Sequence, residues 1–125
     1  MRQTDINVLM KEDVWRLIGQ EWMLITAGNI DDFNTMTASW GGVGWLWNKP
    51  VAFLFIRPER HTHGFVENND SLTLSFLPEQ YREALRLCGT LSGRDCNKVE
   101  KAGLTPLKLN SVSHVSFEES RLCLV

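Results

Sequence analysis

The run Asn34-Thr35-Met36-Thr37-Ala38-Ser39-Trp40 alternates hydroxyl-bearing and apolar residues at a period of two. Successive side chains of an extended chain point to opposite faces, so Thr35, Thr37 and Ser39 share one face of a strand and Met36, Ala38 and Trp40 the other. A row of hydroxyls beside the Gly41-Gly42 turn can hydrogen-bond the polar edge of a flat heterocycle, with main-chain amides assisting and Trp40 as an aromatic wall. Taken alone, the segment reads as a half-exposed strand whose threonines serve β propensity.

Outward from it, residues 22–27, 51–56 and 71–76 are further short runs rich in β-branched and aromatic residues, and read as strands. Gly28-Asn29 with Asp31-Asp32, and Asn48-Lys49-Pro50, supply turn chemistry, while Gly41, Gly42 and Gly44 loosen the end of the central run. Extended character returns at residues 113–117 and 121–125, where the chain stops inside an apolar run and reads as shortened at its carboxyl end. Met10, Val14, Leu17 and Ile18 recur at helical spacing and predict an amino-terminal helix closed by Gly19. Further helices are expected over residues 58–68, over 78–88 with Tyr81, Ala84, Leu85 and Cys88 as its apolar stripe, and over 95–102 with Asp95 as cap and Gly103 as terminator. Strands interleaved with helices of unequal length predict a mainly β domain, an antiparallel barrel with peripheral helices.

Composition narrows the function. A chain of 125 residues, 43% hydrophobic and 22% charged, builds one core and therefore one domain. A net charge of −2 with scattered Lys and Arg provides no field for nucleic acid or anionic lipid. Lys11, Glu12 and Asp13 interrupt the amino-terminal apolar residues, no stretch spans a bilayer, and the cytoplasm is the expected compartment. Cys88, Cys96 and Cys123 form neither an even framework nor a Cys-x-x-Cys pair and read as core-filling thiols in a reducing environment. His61 and His63 lack ligand spacing, so no metal is expected, and Gly41-Gly42-Val43-Gly44 matches no phosphate-binding glycine fingerprint.

Two more stretches carry chemistry. Arg57-Pro58-Glu59-Arg60-His61-Thr62 combines two guanidinium groups and a hydroxyl at a strand-to-helix junction, a receptor suited to a terminal monophosphate. Two solvated arginines with Glu59 as ion-pair partner account for the same residues equally well. The glycine-containing segment from Cys88 to Lys98 places Ser92, Gly93 and Lys98 where they can lie over a ligand, or it simply connects two helices.

In their order and separation, Asn34-Thr35-Met36-Thr37-Ala38-Ser39-Trp40-Gly41, Lys49-Pro50, Arg57-Pro58-Glu59-Arg60-His61-Thr62 and Ser92-Gly93-Arg94-Asp95 resemble the flavin reductase-like family that includes flavoredoxin. The resemblance runs from about Leu17 to the last residue. It implies that residues 1–125 form a single FMN-binding split β-barrel domain that lacks the carboxyl-terminal part of the family fold. It also implies a homodimer with flavin near the subunit interface. By the same resemblance, Asn34, Thr35, Met36, Thr37, Ala38, Ser39 and Trp40 surround the isoalloxazine and ribityl groups, and Arg57, Arg60 and Thr62 hold the phosphate. Lys98 with the Ser92-Gly93 turn approaches the flavin from a third side. Leu91 departs from the pattern, standing where relatives often carry a polar or basic residue. The implied function is an oxidoreductase passing electrons from NADH or NADPH through bound FMN to an unidentified acceptor. The alternatives are a flavoredoxin-like electron carrier without its own nicotinamide reductase activity, and a shortened relic that holds its cofactor weakly.

Overall fold

The structure is a computed structural model in which residues 6–125 are described. In chain order the strands are β1 (Met23–Asn29), β2 (Asp32–Ala38), β3 (Gly41–Leu46), β4 (Lys49–Leu54), β5 (Leu72–Phe76), β6 (Pro106–Lys108), β7 (Val115–Phe117) and β8 (Leu122–Leu124). The helices are α1 (Val14–Arg16), α2 (His61–Glu67), α3 (Arg82–Thr90) and α4 (Lys98–Ala102). All strand pairings are antiparallel, and the strands fall into a four-stranded sheet of order β2-β1-β5-β8 and two pairs, β3-β4 and β6-β7. The mainly β domain with peripheral helices is therefore as the alternation predicts.

β1 sits centrally because both of its faces are covered. On one face Met23, Ile25, Met36, Ala38, Leu74 and Phe76 pack with Leu17 and Ile18 of the amino-terminal segment and with Val66 of α2. On the other, Leu24 and Leu77 meet Ala84, Leu85 and Cys88 of α3, Val99 of α4, and Phe117 of β7. This second face also carries buried hydroxyls, each matched to an acceptor as burial demands. Thr26 and Thr35 pair at 2.9 Å, Thr35 donates to the Ile25 carbonyl, Thr73 donates to that of Val115, and Ser75 pairs with Ser116 at 2.8 Å.

The amino-terminal helix is not continuous. A 3-10 segment, Ile6–Lys11, breaks at Asp13, whose carboxylate caps α1, and a π-helical turn, Leu17–Glu21, follows. Gly19 lies inside that turn; Trp22, at φ 68°, ends it, and its ring stacks under the Arg82 guanidinium at 3.6 Å. Arg82 Nη1 also donates to the carbonyls of Gln20 and Glu21, satisfying the terminus that a glycine cap would otherwise serve. The entry to β8 is tied to the same region: Arg121 bonds Glu12 at 2.9 Å and Glu21 at 2.8 Å, and its hydrogen bonds hold the Glu12 carboxyl below the usual range.

Three other boundaries move. α2 starts at His61 rather than at Pro58, because residues 57–60 form a turn closed by the Arg60 N–H on the Arg57 carbonyl. α3 starts only at Arg82, preceded by a 3-10 turn, Glu79–Tyr81, and runs to Thr90. The cap of α4 is Asn97, whose side chain accepts from the Glu100 N–H at 3.2 Å, and not Asp95; Gly103, at φ 73°, closes the helix as expected. β6 lies in a stretch that the sequence pattern leaves unassigned.

The largest departure is the β3-β4 hairpin. Its glycines do not loosen a strand end but form a strand: Gly41 has φ 142°, and a Cβ there would lie 2.4 Å from the Phe53 carbonyl oxygen. Trp47 and Asn48, at φ 54° and 59°, make the two-residue turn whose twist matches paired strands. Among the described residues the hairpin pairs with no other strand.

Candidate cofactor site

β2 is an edge strand, so alternate main-chain N–H and C=O groups along it point away from β1 without a ladder partner. Its side chains are mostly committed elsewhere. The Thr35 hydroxyl is fully buried against Thr26, the Thr37 hydroxyl donates to the Leu85 carbonyl of α3, and Met36 and Ala38 belong to the core. The alternation holds for Thr35 and Thr37, but both hydroxyls are spent inside the fold, on Thr26 of β1 and on α3, and Ser39 lies past the end of β2. What Thr35, Met36, Thr37 and Ala38 leave for a ligand is main chain. Ser39 is half-buried, and Trp40 is exposed beside Arg57, whose guanidinium lies 5.9 Å from its ring centroid.

Asn34 has the opposite parity to the threonines and reaches α2. Its Nδ2 donates to Thr62 Oγ1 at 2.7 Å, and both residues are buried. Since Thr62 accepts there, its own hydroxyl proton remains to be given to another acceptor. Just before α2, Arg57 has only Glu59 as a loose exposed ion pair at 3.9 Å. Arg60 is half-buried, and that burial, followed by the neighbouring charge of Arg57, lowers its pKa.

Lys98 approaches from α4. It is 3% exposed, and its ammonium donates to the carbonyls of Cys88 and Leu91 at 3.1 and 3.2 Å, the last turn of α3 and the residue that follows it. No carboxylate pairs with it among the described residues. Burial above all, with a further contribution from Arg60, pulls its pKa down to about 8. A buried cation without an anion among the described residues, and close enough to Arg60 to be repelled by it, favours an anion, because bringing in a negative group relieves both the desolvation and the repulsion.

The loop 91–97 borders this group. Gly93 sits so close to Asn34 that a Cβ would lie 2.1 Å from Asn34 Oδ1 and 3.1 Å from the His61 ring, so a side chain there would push the Asn34 amide aside. Ser92 is a turn-former: its hydroxyl accepts from the Arg94 N–H, and its carbonyl accepts from Asp95 and Cys96. An open cleft of about 470 Å³ runs between the β1-β2 turn and this loop, lined by Asp31, Asp32, Asn34, Gly93, Lys98 and their neighbours, a volume ordinary for a small-molecule site. Among the predicted residues, then, Asn34, Arg57, Arg60, Thr62, Gly93 and Lys98 gather around the start of α2. His61, Arg94 and Asn97 join them unpredicted. Only Asn97 had left a signal, an Asn with a Glu three residues on.

Residues 15–121 match the model of the flavin reductase like domain. The chain belongs to that family. Solved structures agree at the level of fold. An FMN-binding domain of a flavin reductases-like enzyme from Shewanella baltica superposes with a TM-score of 0.73 at 15% identity, over 89% of this chain and 59% of that one. Flavoredoxin of Desulfovibrio vulgaris gives 0.68 at 20% identity, over 95% and 62%. Nitrilotriacetate monooxygenase component B from Bacillus cereus gives 0.67 at 16% identity, over 98% and 65%. This chain thus spans less than two thirds of the length of each of these three proteins. No curated sequence matches it. Among the described residues no helix is long and apolar enough to cross a membrane.

Proposed function

We propose that the chain binds FMN, with Arg57, Arg60, Thr62 and Lys98 receiving the phosphate and the free edge of β2, with Trp40, meeting the ring. The observation that carries this reading is the cationic cluster itself: neither Arg60 nor the buried Lys98 has an ion-pair partner among the described residues, and the Thr62 hydroxyl retains a proton to donate. The donor set fits a monophosphate, since guanidinium and ammonium groups offer several charge-assisted hydrogen bonds; the carboxylates nearby are the exposed Glu59, loosely paired with Arg57, and Asp31, Asp32 and Asp95 along the cleft. When bound, FMN supplies electron-transfer chemistry that no side chain of the site provides. The protein's part is to hold the phosphate, to offer main-chain groups to the ring, and to keep the ring against Trp40.

On this reading the protein is an oxidoreductase taking electrons from NADH or NADPH and passing them to an acceptor of undetermined identity. Similarity to a flavoredoxin supports a second reading, an electron carrier reduced by another protein. Exposed Trp45 and Trp47 and the unpaired hairpin support a homodimer, and three free thiols suit the cytoplasm. An absorption spectrum of the purified protein after incubation with FMN tests cofactor retention; a spectrum without protein-bound flavin would end both readings. Anaerobic mixing of the holoprotein with NADH or NADPH then separates them, with rapid flavin bleaching marking the reductase and persistence of the oxidised spectrum marking the carrier.

A further inference from the structure

The loop 91–97 is fastened at three points, and each has a different reach. At its start the Leu91 carbonyl accepts from Lys98, a bond within the α3-α4 connection. In the middle Gly93 rests against Asn34 and the His61 ring, a contact that a side chain there would push apart. The third point is Arg94, whose Nη1 donates to the Glu59 carbonyl at 3.1 Å. That is the one hydrogen bond among the described residues that joins this loop to the turn carrying Arg57 and Arg60, and it spans 35 positions of sequence. Arg94 forms no ion pair among the described residues, although Glu59 is within reach of Arg57 and Asp95 is its own neighbour. Its contact with the turn is thus through the main-chain carbonyl, a geometric tie to the backbone rather than a charge pairing.

We propose that Arg94 is a positioning residue, a latch that holds the loop 91–97 across the Arg57–Arg60 turn and thereby sets how quickly a ligand leaves the receptor. The loop carries on its near side the backbone that abuts Asn34, and Asn34 in turn orients the Thr62 hydroxyl. Releasing the latch therefore loosens one wall of the site and the hydrogen bond behind it together. Arg94 acts through the loop, so its loss should affect any ligand seated there, with or without a phosphate. A guanidinium that instead touched the phosphate would matter to FMN and not to riboflavin.

The flavin part of the test rests on the proposed FMN binding; the exchange part does not. Amide hydrogen exchange of residues 92–97 in the ligand-free protein should rise in Arg94→Ala and return part of the way in Arg94→Lys, which can still donate one bond. Stopped-flow release, followed by flavin fluorescence, should be faster for FMN and for riboflavin by a similar factor of roughly ten, the scale of one hydrogen bond from a charged donor. Gly93→Ala should open the same wall by a different route, so that adding it to Arg94→Ala accelerates release by less than the product of the single effects. Unchanged loop exchange in Arg94→Ala, or faster release of FMN alone, overturns the latch. If the wild type binds no flavin, the flavin reading fails while the exchange result still decides the role of Arg94.

Discussion

The four-stranded sheet and the β3-β4 hairpin are built from similar β-forming residues yet end in opposite circumstances. In the sheet, β1 is buried on both faces along all but its last residue, whereas the hairpin leaves Trp45 and Trp47 68% and 80% exposed. The sheet's side chains find partners within the chain: apolar groups in two cores, hydroxyls on carbonyls or on each other. The hairpin's apolar side chains find few, and its outer edges pair with no strand among the described residues. Periodicity says that a segment is a strand; whether its faces are satisfied within one copy depends on what the rest of the chain can wrap around it.

The largest test of this contrast sets one ring in the sheet's core against two on the hairpin. Phe117 is fully buried and meets Phe33 edge-on at 6.3 Å between centroids, so Phe117→Ala should cost about 3–5 kcal/mol in urea unfolding. Trp45→Ser combined with Trp47→Ser should cost less than about 0.5 kcal/mol in the monomer but, on the proposed homodimer, shift light scattering from dimer toward monomer on dilution. Equal stability losses in the two variants would erase the distinction.

A smaller effect probes the buried hydroxyls. Thr35→Val leaves Thr26 without its acceptor and should destabilise by roughly 1–3 kcal/mol, whereas Thr26→Val together with Thr35→Val should recover much of that loss. Additive losses in this double-mutant cycle would mean that the two hydroxyls are not paired. The smallest expected change is in pH dependence. Lys98 in the free protein loses its proton near pH 8, below the 10.5 of an ordinary lysine, so across that window the unfolded chain holds more protons and the ligand-free fold gains stability as pH rises. Ligand binding runs the other way: a bound phosphate restores the ammonium, so FMN affinity should be level from about pH 7, where the phosphate is mostly doubly charged, up to pH 8 and fall above it, at most tenfold per unit, with Lys98→Met abolishing that fall.

How much of this was legible beforehand differs by element. The alternation of residues 34–40 announced both the strand and the parity of its threonines, because a period of two is a local property. It did not announce that the Thr35 hydroxyl is spent on β1 and that of Thr37 on α3, since which groups a face meets is settled by tertiary packing. Asn34 was placed in the site by resemblance, but its partner Thr62 lies 28 positions away, and no spacing rule joins them. Of the hairpin, β4 overlaps the strand expected over residues 51–56, but β3 was missed because three glycines within four residues usually signal a loop, and only the close approach of Phe53 explains why it requires one at position 41. The expected cap of α4, Asp95, gives way to Asn97, and the bond from Arg94 to the Glu59 carbonyl spans 35 positions, beyond any local pattern.

The most direct test of the central reading compares FMN with riboflavin by fluorescence titration of the wild type and of a variant carrying both Arg57→Ala and Arg60→Ala. A phosphate received by these arginines predicts that the wild type binds FMN at least a hundredfold more tightly than riboflavin, on the scale of about 1.5–3 kcal/mol for each charged hydrogen bond, and that the variant loses most of that margin while its riboflavin affinity stays nearly level. Equal affinities for the two flavins in the wild type, or equal losses for both in the variant, would contradict it.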